Sequence, residues 1–367
     1  MRCIGLAAFT VIAGAALHAV PARADILLGV AGPLTGANAY LGEQEQLGAE
    51  AAVADLNAAG GVLGQQLRLT ILDDACDPGQ AAAAAKSLAE AGVAAVVGHL
   101  CSGATLAAAP VYEAADIVMI SPAATNPQVT EEGRPNVFRV CGRDDQQGAI
   151  AAEYLGSHWR DKKIAILHDG LTYGQGLAEQ TKIQLNQRGV AEVLYEGFEP
   201  GGSDYSDLVA KLQAADVAVA YLGSYHQETA LLVREARDRG YDLQIVAGDA
   251  LATDSFWQIA GPAGEGTRFT FLRDPRLYPE AAPIVERMQR QGFEPEGYTL
   301  YAYGAVQVWA QAATRAGSLA TQAVIDALRA NEFQTILGPI SFDAKGDPKQ
   351  QGFVWYVWRD GSYVPAN

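Results

Sequence analysis

The sequence predicts an α/β protein made of two lobes, each a doubly wound parallel sheet. Short, near-continuous aliphatic runs alternate with helical patterns along the chain, and the alternation restarts once after Gly142-Arg143-Asp144. The 367 residues also exceed one ordinary domain of roughly 100 to 200.

In the first half, Ile26 to Ala31 reads as a strand, followed by a helix near Glu43 to Ala59 and a strand over Leu67 to Leu72. A helix near Gly79 to Ala91, a strand over Val93 to Val97, a helix near Gly103 to Ala115 and a strand over Ile117 to Ile120 continue the pattern. Apolar runs this short, with little alternation, suit strands covered by helices on both faces. Beyond residue 144 the pattern predicts a helix near Gln146 to Trp159, then strands over Lys163 to Leu167, Val190 to Tyr195, Val217 to Leu222 and Leu243 to Val246. Helices over Gly176 to Arg188, Tyr205 to Ala214 and Gln227 to Arg239 separate them. From about Arg273 to Ala330 the chain reads as chiefly helical, and Phe353 to Trp358 alternates like a strand.

Met1-Arg2, the apolar run Ile4 to Val20 and the small-x-small site Ala22-Arg23-Ala24 together predict a cleaved signal peptide over 1–24. The mature chain is then expected to begin at Asp25 and to lie outside the cytoplasm, in the periplasm. With no cysteine directly after the cleavage site, lipid anchoring is not expected. The net charge of −16, from 26 Lys and Arg against 42 Asp and Glu, argues against nucleic acid or an anionic membrane as partner.

Three strand ends carry the densest chemistry: Asp73-Asp74-Ala75-Cys76-Asp77-Pro78, Gly98-His99-Leu100-Cys101-Ser102-Gly103-Ala104-Thr105 and Ser121-Pro122-Ala123-Ala124-Thr125. They deliver small hydroxyls and two cysteines to the sheet edge where open α/β folds bind ligands. With His168-Asp169, Tyr173-Gly174, Gly223-Ser224-Tyr225-His226 and Leu337-Gly338-Pro339, they make the chain from about Asp25 to Val357 resemble the periplasmic leucine/isoleucine/valine-binding proteins of bacterial ABC importers, of the type I periplasmic binding protein fold. The resemblance implies a hinge crossed three times by the chain. Residues 25–143 plus 273–352 would form one lobe, and 144–272 plus 353–367 the other. It also implies a monomer without cofactor, whose partner is a membrane permease.

An amino acid held between such lobes needs both its charges satisfied, because an unpaired buried charge costs several kcal/mol. The resemblance gives Ser102 and Thr125 the ligand carboxylate and the Ala123 carbonyl the ammonium. Read without it, Ser102 is a plain helix cap and Thr125 a turn residue. Asp249, at a strand end in the second lobe, is positioned to pair with the ammonium or to cap a helix over Leu251 to Ile259; the family usually carries Glu there. Tyr173 and Tyr225 match residues that close over the ligand, and otherwise read as half-buried structural tyrosines. Leu100, Cys101, Tyr40 and Leu41 match the apolar wall, although the family commonly has tyrosine where Leu41 stands. Tyr298 and Tyr301 are candidate lid aromatics.

Cys76 and Cys101 follow two neighbouring strands and are expected to form a disulfide in an oxidising compartment. Its loop corresponds to about 3 to 4 kcal/mol in the chain-entropy model. Cys141, within Val137 to Cys141, reads as a small buried hydrophobe.

Enzymatic readings find no support. Gly29-Val30-Ala31-Gly32-Pro33 lacks dinucleotide-loop spacing, and no nucleophile elbow or phosphate loop follows a strand. His99, His158, His168 and His226 lack the spacing and acidic companions of a metal site. A binding protein is expected; the alternative ligands on the same fold are amides, urea or aromatic acids, which do not require Asp249.

Overall fold

A computed structural model describes residues 24–350 and 352–366. Apart from Ala24, the predicted signal peptide lies outside the described residues.

The first lobe follows the predicted alternation: β1 (Ile26–Gly32), α1 (Ala39–Ala58), β2 (Leu67–Asp73), α2 (Pro78–Glu90), β3 (Ala95–Gly98), α3 (Ser102–Ala114), β4 (Val118–Ser121), α4 (Gln128–Glu131) and β5 (Val137–Arg139). Its five strands are all parallel, in the order β2-β1-β3-β4-β5. Every residue of β3 and β4 is buried, which is why their sequences are apolar without alternation. Local chemistry sets the helix starts: Asp77 accepts a hydrogen bond from the Gln80 amide, and Pro78 occupies the first helical position of α2.

The second lobe runs α5 (Asp144–His158), β6 (Ile164–His168), α6 (Thr172–Gln187), β7 (Leu194–Gly197), α7 (Ser206–Ala214), β8 (Val219–Gly223), α8 (His226–Asp238), β9 (Gln244–Ala247), α9 (Asp254–Ala260) and β10 (Arg268–Leu272). There follow α10 (Ala282–Arg290), α11 (Thr299–Ala316), α12 (Thr321–Ala330), the short hairpin β11 (Phe333–Thr335) with β12 (Gly338–Ile340), then β13 (Phe353–Arg359) and β14 (Ser362–Pro365). The second sheet is ordered β14-β13-β10-β9-β8-β6-β7; β13 pairs antiparallel with both β14 and β10, and the remaining pairs are parallel.

Periodicity did not assign β5, β10, β11, β12 or β14. Four of them span three or four residues, and β10 alternates polar with apolar as Arg-Phe-Thr-Phe-Leu at the seam between the parallel strands and the antiparallel ribbon. The strand expected over Val190 to Tyr195 begins later, at Leu194, because Val190 is a buried residue of the preceding turn.

Helix α11 leaves the second sheet behind and packs on α1, β3 and β4 of the first. The approach is close: a Cβ on Gly48 of α1 would lie 2.0 Å from the Thr299 carbonyl oxygen. The chain therefore passes between the sheets after β5, after β10 and before β13, and the three passages meet. A Cβ on Gly142 would lie 2.6 Å from the Phe353 ring and 3.2 Å from Leu272 Cδ2. Gly142→Leu should overpack this junction and destabilise the fold by about 1–3 kcal/mol in urea unfolding. An unchanged midpoint would show that the three passages yield freely.

Candidate functional site

In each sheet one point in the strand order sends successive connections to opposite sides, opening a crevice beyond the strands' carboxyl ends. In the first it lies between β1 and β3; in the second, between β6 and β8. The two crevices face each other. A narrow cavity of about 20 Å³ between them is lined by Leu41, Leu100, Ser102 and Ala123 from the first lobe, Tyr173, Tyr225, Asp249 and Ala250 from the second, and Tyr298 at the start of α11. A larger hollow of about 780 Å³ beside Asp169, Glu196 and Lys211 is an open groove of the second lobe alone. The cleft brings together polar groups from both lobes, Ser102 from the first and Asp249 from the second.

Asp249 is buried and heads a short 3-10 turn. It caps no helix: Thr253 caps α9. Its Oδ1 accepts from Gln147 Nε2 at 2.7 Å and from the Tyr173 hydroxyl at 2.9 Å, and its Oδ2 accepts from the Tyr298 hydroxyl. Burial raises the Asp249 carboxyl above the usual carboxylate range, while these three donors oppose the rise. Asp144 lies nearby, fully buried, and accepts from the same Gln147 amide at 3.1 Å. Burial, then the Asp249 charge, raises Asp144 well above its ordinary value.

Ser102 is the first residue of α3 and its Oγ accepts from the Asn126 amide at 3.3 Å, which leaves the hydroxyl proton free to donate. The neighbouring loop is fixed from behind. Ser121 Oγ donates to the His99 carbonyl at 2.7 Å and accepts from the Ala124 amide at 2.9 Å. Arg139, fully buried, donates to the carbonyls of Ala124 and Asn126 at 2.8 and 2.9 Å and pairs with Asp347 at 2.5 Å. Thr125 is buried, and its Oγ1 makes no hydrogen bond of good geometry among the described residues. It does not line the cavity; its carbonyl accepts from the Asp144 amide.

Three other sequence candidates also stand back from the cavity. Cys101 forms the disulfide with Cys76, with Cα atoms 5.4 Å apart, behind Leu100. Tyr301 packs edge-on against Tyr298 and donates to the Arg273 carbonyl from a separate hollow near Leu337. Tyr40 is half-buried beside Glu296, and burial, with the negative charges of Glu296 and Asp254, pushes its hydroxyl up to about 12. Tyr173 and Tyr225 place their ring centres 5.1 Å apart in the cavity wall. His99 is bonded to Asp74 and Tyr112, His168 Nδ1 accepts from the Gly170 amide, and no metal-holding cluster occurs among the described residues. Cys141 is buried and burial pushes its thiol up.

Sequence reasoning missed Gln44, Asp144, Gln147 and Glu296. The only trace was the polar run Asp144-Asp145-Gln146-Gln147 directly after the predicted restart. The lobes are closed on each other: Asn126 Nδ2 donates to the Thr172 carbonyl at 2.9 Å. Glu296 Oε1 accepts from Gln44 of α1 and from the Asp254 amide of α9.

The periplasmic binding protein family matches residues 25–362. The chain belongs to that family. It is 48% identical over 359 residues to the Leu/Ile/Val-binding protein homolog 1 of Brucella suis, covering 96% of this chain and 97% of that one. Among solved structures it resembles the leucine binding protein LivK of Thermotoga maritima (TM-score 0.85, 28% identity, covering 93% of this chain and 98% of that one). It also resembles the branched-chain amino acid transporter substrate binding protein LivJ of Streptococcus pneumoniae in complex with isoleucine (TM-score 0.81, 26% identity, covering 93% and 100%). This is a family of substrate-binding transport proteins, and among the described residues no helix is long and apolar enough to cross a membrane.

In this periplasmic binding protein Glu296 gives the closed cleft a dependence on pH. Burial, then the charge of Asp254, raises its carboxyl from the ordinary 4.5 to about 8. Between those values the folded state holds a proton that the unfolded chain has released, so this group's contribution to stability falls as pH rises through the window. Glu296→Gln should therefore gain thermal stability relative to the wild type progressively from pH 5 to pH 8. A constant difference in Tm across that range would refute the assignment.

Proposed function

We propose that the protein captures free branched-chain, aliphatic L-amino acids in the interlobe cleft and delivers them to the permease of an ABC importer in the periplasm, after removal of residues 1–24. One observation carries the reading: across a small, largely apolar cavity, a buried carboxylate of the second lobe faces a helix-start hydroxyl of the first. That pairing fits an ammonium at one end and a carboxylate at the other. Relatives named for leucine, isoleucine and valine support it.

In this reading Ser102, with the amino end of α3, receives the ligand carboxylate, because a helix start presents unpaired N–H groups and a favourable dipole. Thr125, one layer behind the cavity, supports this jaw through its carbonyl, which accepts from the Asp144 amide. The Ala123 carbonyl and Asp249 take the ammonium. Three donors already occupy three of the four strong acceptor positions of the Asp249 carboxylate, so one remains on Oδ2 for the ligand. Leu41 and Leu100 bound the aliphatic side chain, while Tyr173 and Tyr225 cover it. The lobes close by rotating about the passages at Gly142, Leu272 and Phe353.

Leucine, isoleucine and valine should each raise the Tm of the mature protein, since ligand binds the native state only. A response to amides, urea or aromatic acids in their place would overturn the ligand class. Asp249→Asn should cost about 2 to 5 kcal/mol of leucine binding, the usual effect of truncating one partner of a buried charge pair. Calorimetry giving an affinity within about threefold of wild type would remove Asp249 from the site.

A further inference from the structure

We propose that Gln147 is the positioning residue of this site: it keeps Asp249 ionised and aimed at the ligand by donating one amide N–H to Asp249 and the other to Asp144. The inference rests on the reading that Asp249 meets the ammonium.

The geometry leaves the amide one arrangement. Gln147 Oε1 accepts from the Thr270 hydroxyl at 2.5 Å, so Nε2 is turned toward the carboxylates. From there it reaches Asp249 Oδ1 at 2.7 Å and Asp144 Oδ1 at 3.1 Å. All three residues are fully or nearly fully buried. Two buried carboxyl groups bridged by one amide cannot both carry charge without strong repulsion, so they share a single negative charge. Donors decide where it sits. Asp249 has Tyr173, Tyr298 and Gln147, whereas Asp144 has Gln147 and, outside good hydrogen-bond geometry, the Thr125 hydroxyl, so the donors favour Asp249 three to two. The other titratable groups facing the pair are Arg139 on β5, Cys141 beyond it, and Tyr221 and Tyr225 from the β8 side. Arg139 alone is cationic, and it is already bonded to Asp347. Without the Gln147 amide, Asp249 loses a donor and the shared proton spends more time on it. The ligand ammonium would then have to displace that proton.

Removing the amide should therefore weaken binding in a pH-dependent way, unlike ordinary loss of packing. In calorimetric titrations with leucine from pH 5 to pH 8, Gln147→Met should bind roughly tenfold more weakly at the acid end and approach wild type at the alkaline end. The midpoint of its affinity profile should move up by about one pH unit. Titration in two buffers of different ionisation heat should show protons released on binding. Thr270→Val, which frees Oε1, should move the midpoint in the same direction, and Thr270→Ser should bring it back. Equal weakening at every pH, or wild-type binding throughout, overturns the proposal. Asp249→Asn separates the two levels. If it abolishes tight binding while the Gln147 and Thr270 variants show no shift in profile, the ligand assignment stands and the positioning role falls. If Asp249→Asn binds like wild type, both fall.

Discussion

The closed structure turns on one buried charge. Asp249 sits where the carboxyl end of the second sheet meets the first lobe, beyond the reach of bulk water, and a carboxylate there persists only if protein groups replace its hydration. Its donors come from three different elements: Gln147 from α5, Tyr173 from α6 and Tyr298 from the start of α11. The last of these belongs to the layer packed on the first lobe, so the same carboxylate that faces the cavity also ties the jaws together.

The opposite jaw solves a different problem. In the proposed reading its polar contacts are a backbone carbonyl and a short hydroxyl on loops, which position a ligand only if the loops are rigid. Rigidity comes from behind the cavity: Ser121 ties its own loop to the His99 carbonyl, and Arg139 grips two carbonyls of the same loop. Arg139 is held in turn by Asp347, which also pairs with Arg143 at 2.7 Å and lowers its own carboxyl by doing so. The disulfide pins the loops after β2 and β3. A late segment of the chain thus braces a loop more than two hundred residues earlier.

The three passages between the lobes cross at Gly142, Leu272 and Phe353. A residue without a side chain is needed there because two apolar groups fill the space a Cβ would take. The antiparallel ribbon of β13 and β14 completes the second sheet from the last passage, so neither lobe is a continuous stretch of chain.

The sequence by itself determined the alternation of strands and helices, the division into two lobes, the disulfide partners and the two strand ends, after β3 and β4, that reach the cavity. These are local properties, since an apolar run of four or five residues reports burial on both faces whatever lies beyond it. It also pointed to Leu41, Leu100, Ser102, Ala123, Tyr173, Tyr225, Asp249 and Tyr298, which the cavity gathers, through the motifs they stand in. Tyr40, Cys101, Thr125 and Tyr301 stand one layer back, because a motif fixes a position along the chain and not the direction of its side chain. Short strands such as β5 and β11 were illegible, being three residues long. Only the tertiary structure decided what Asp249 does. Gln147 lies 102 residues before it and Tyr298 49 residues after it, and no local pattern encodes a hydrogen bond that exists only once two sheets and a returning helix have packed together.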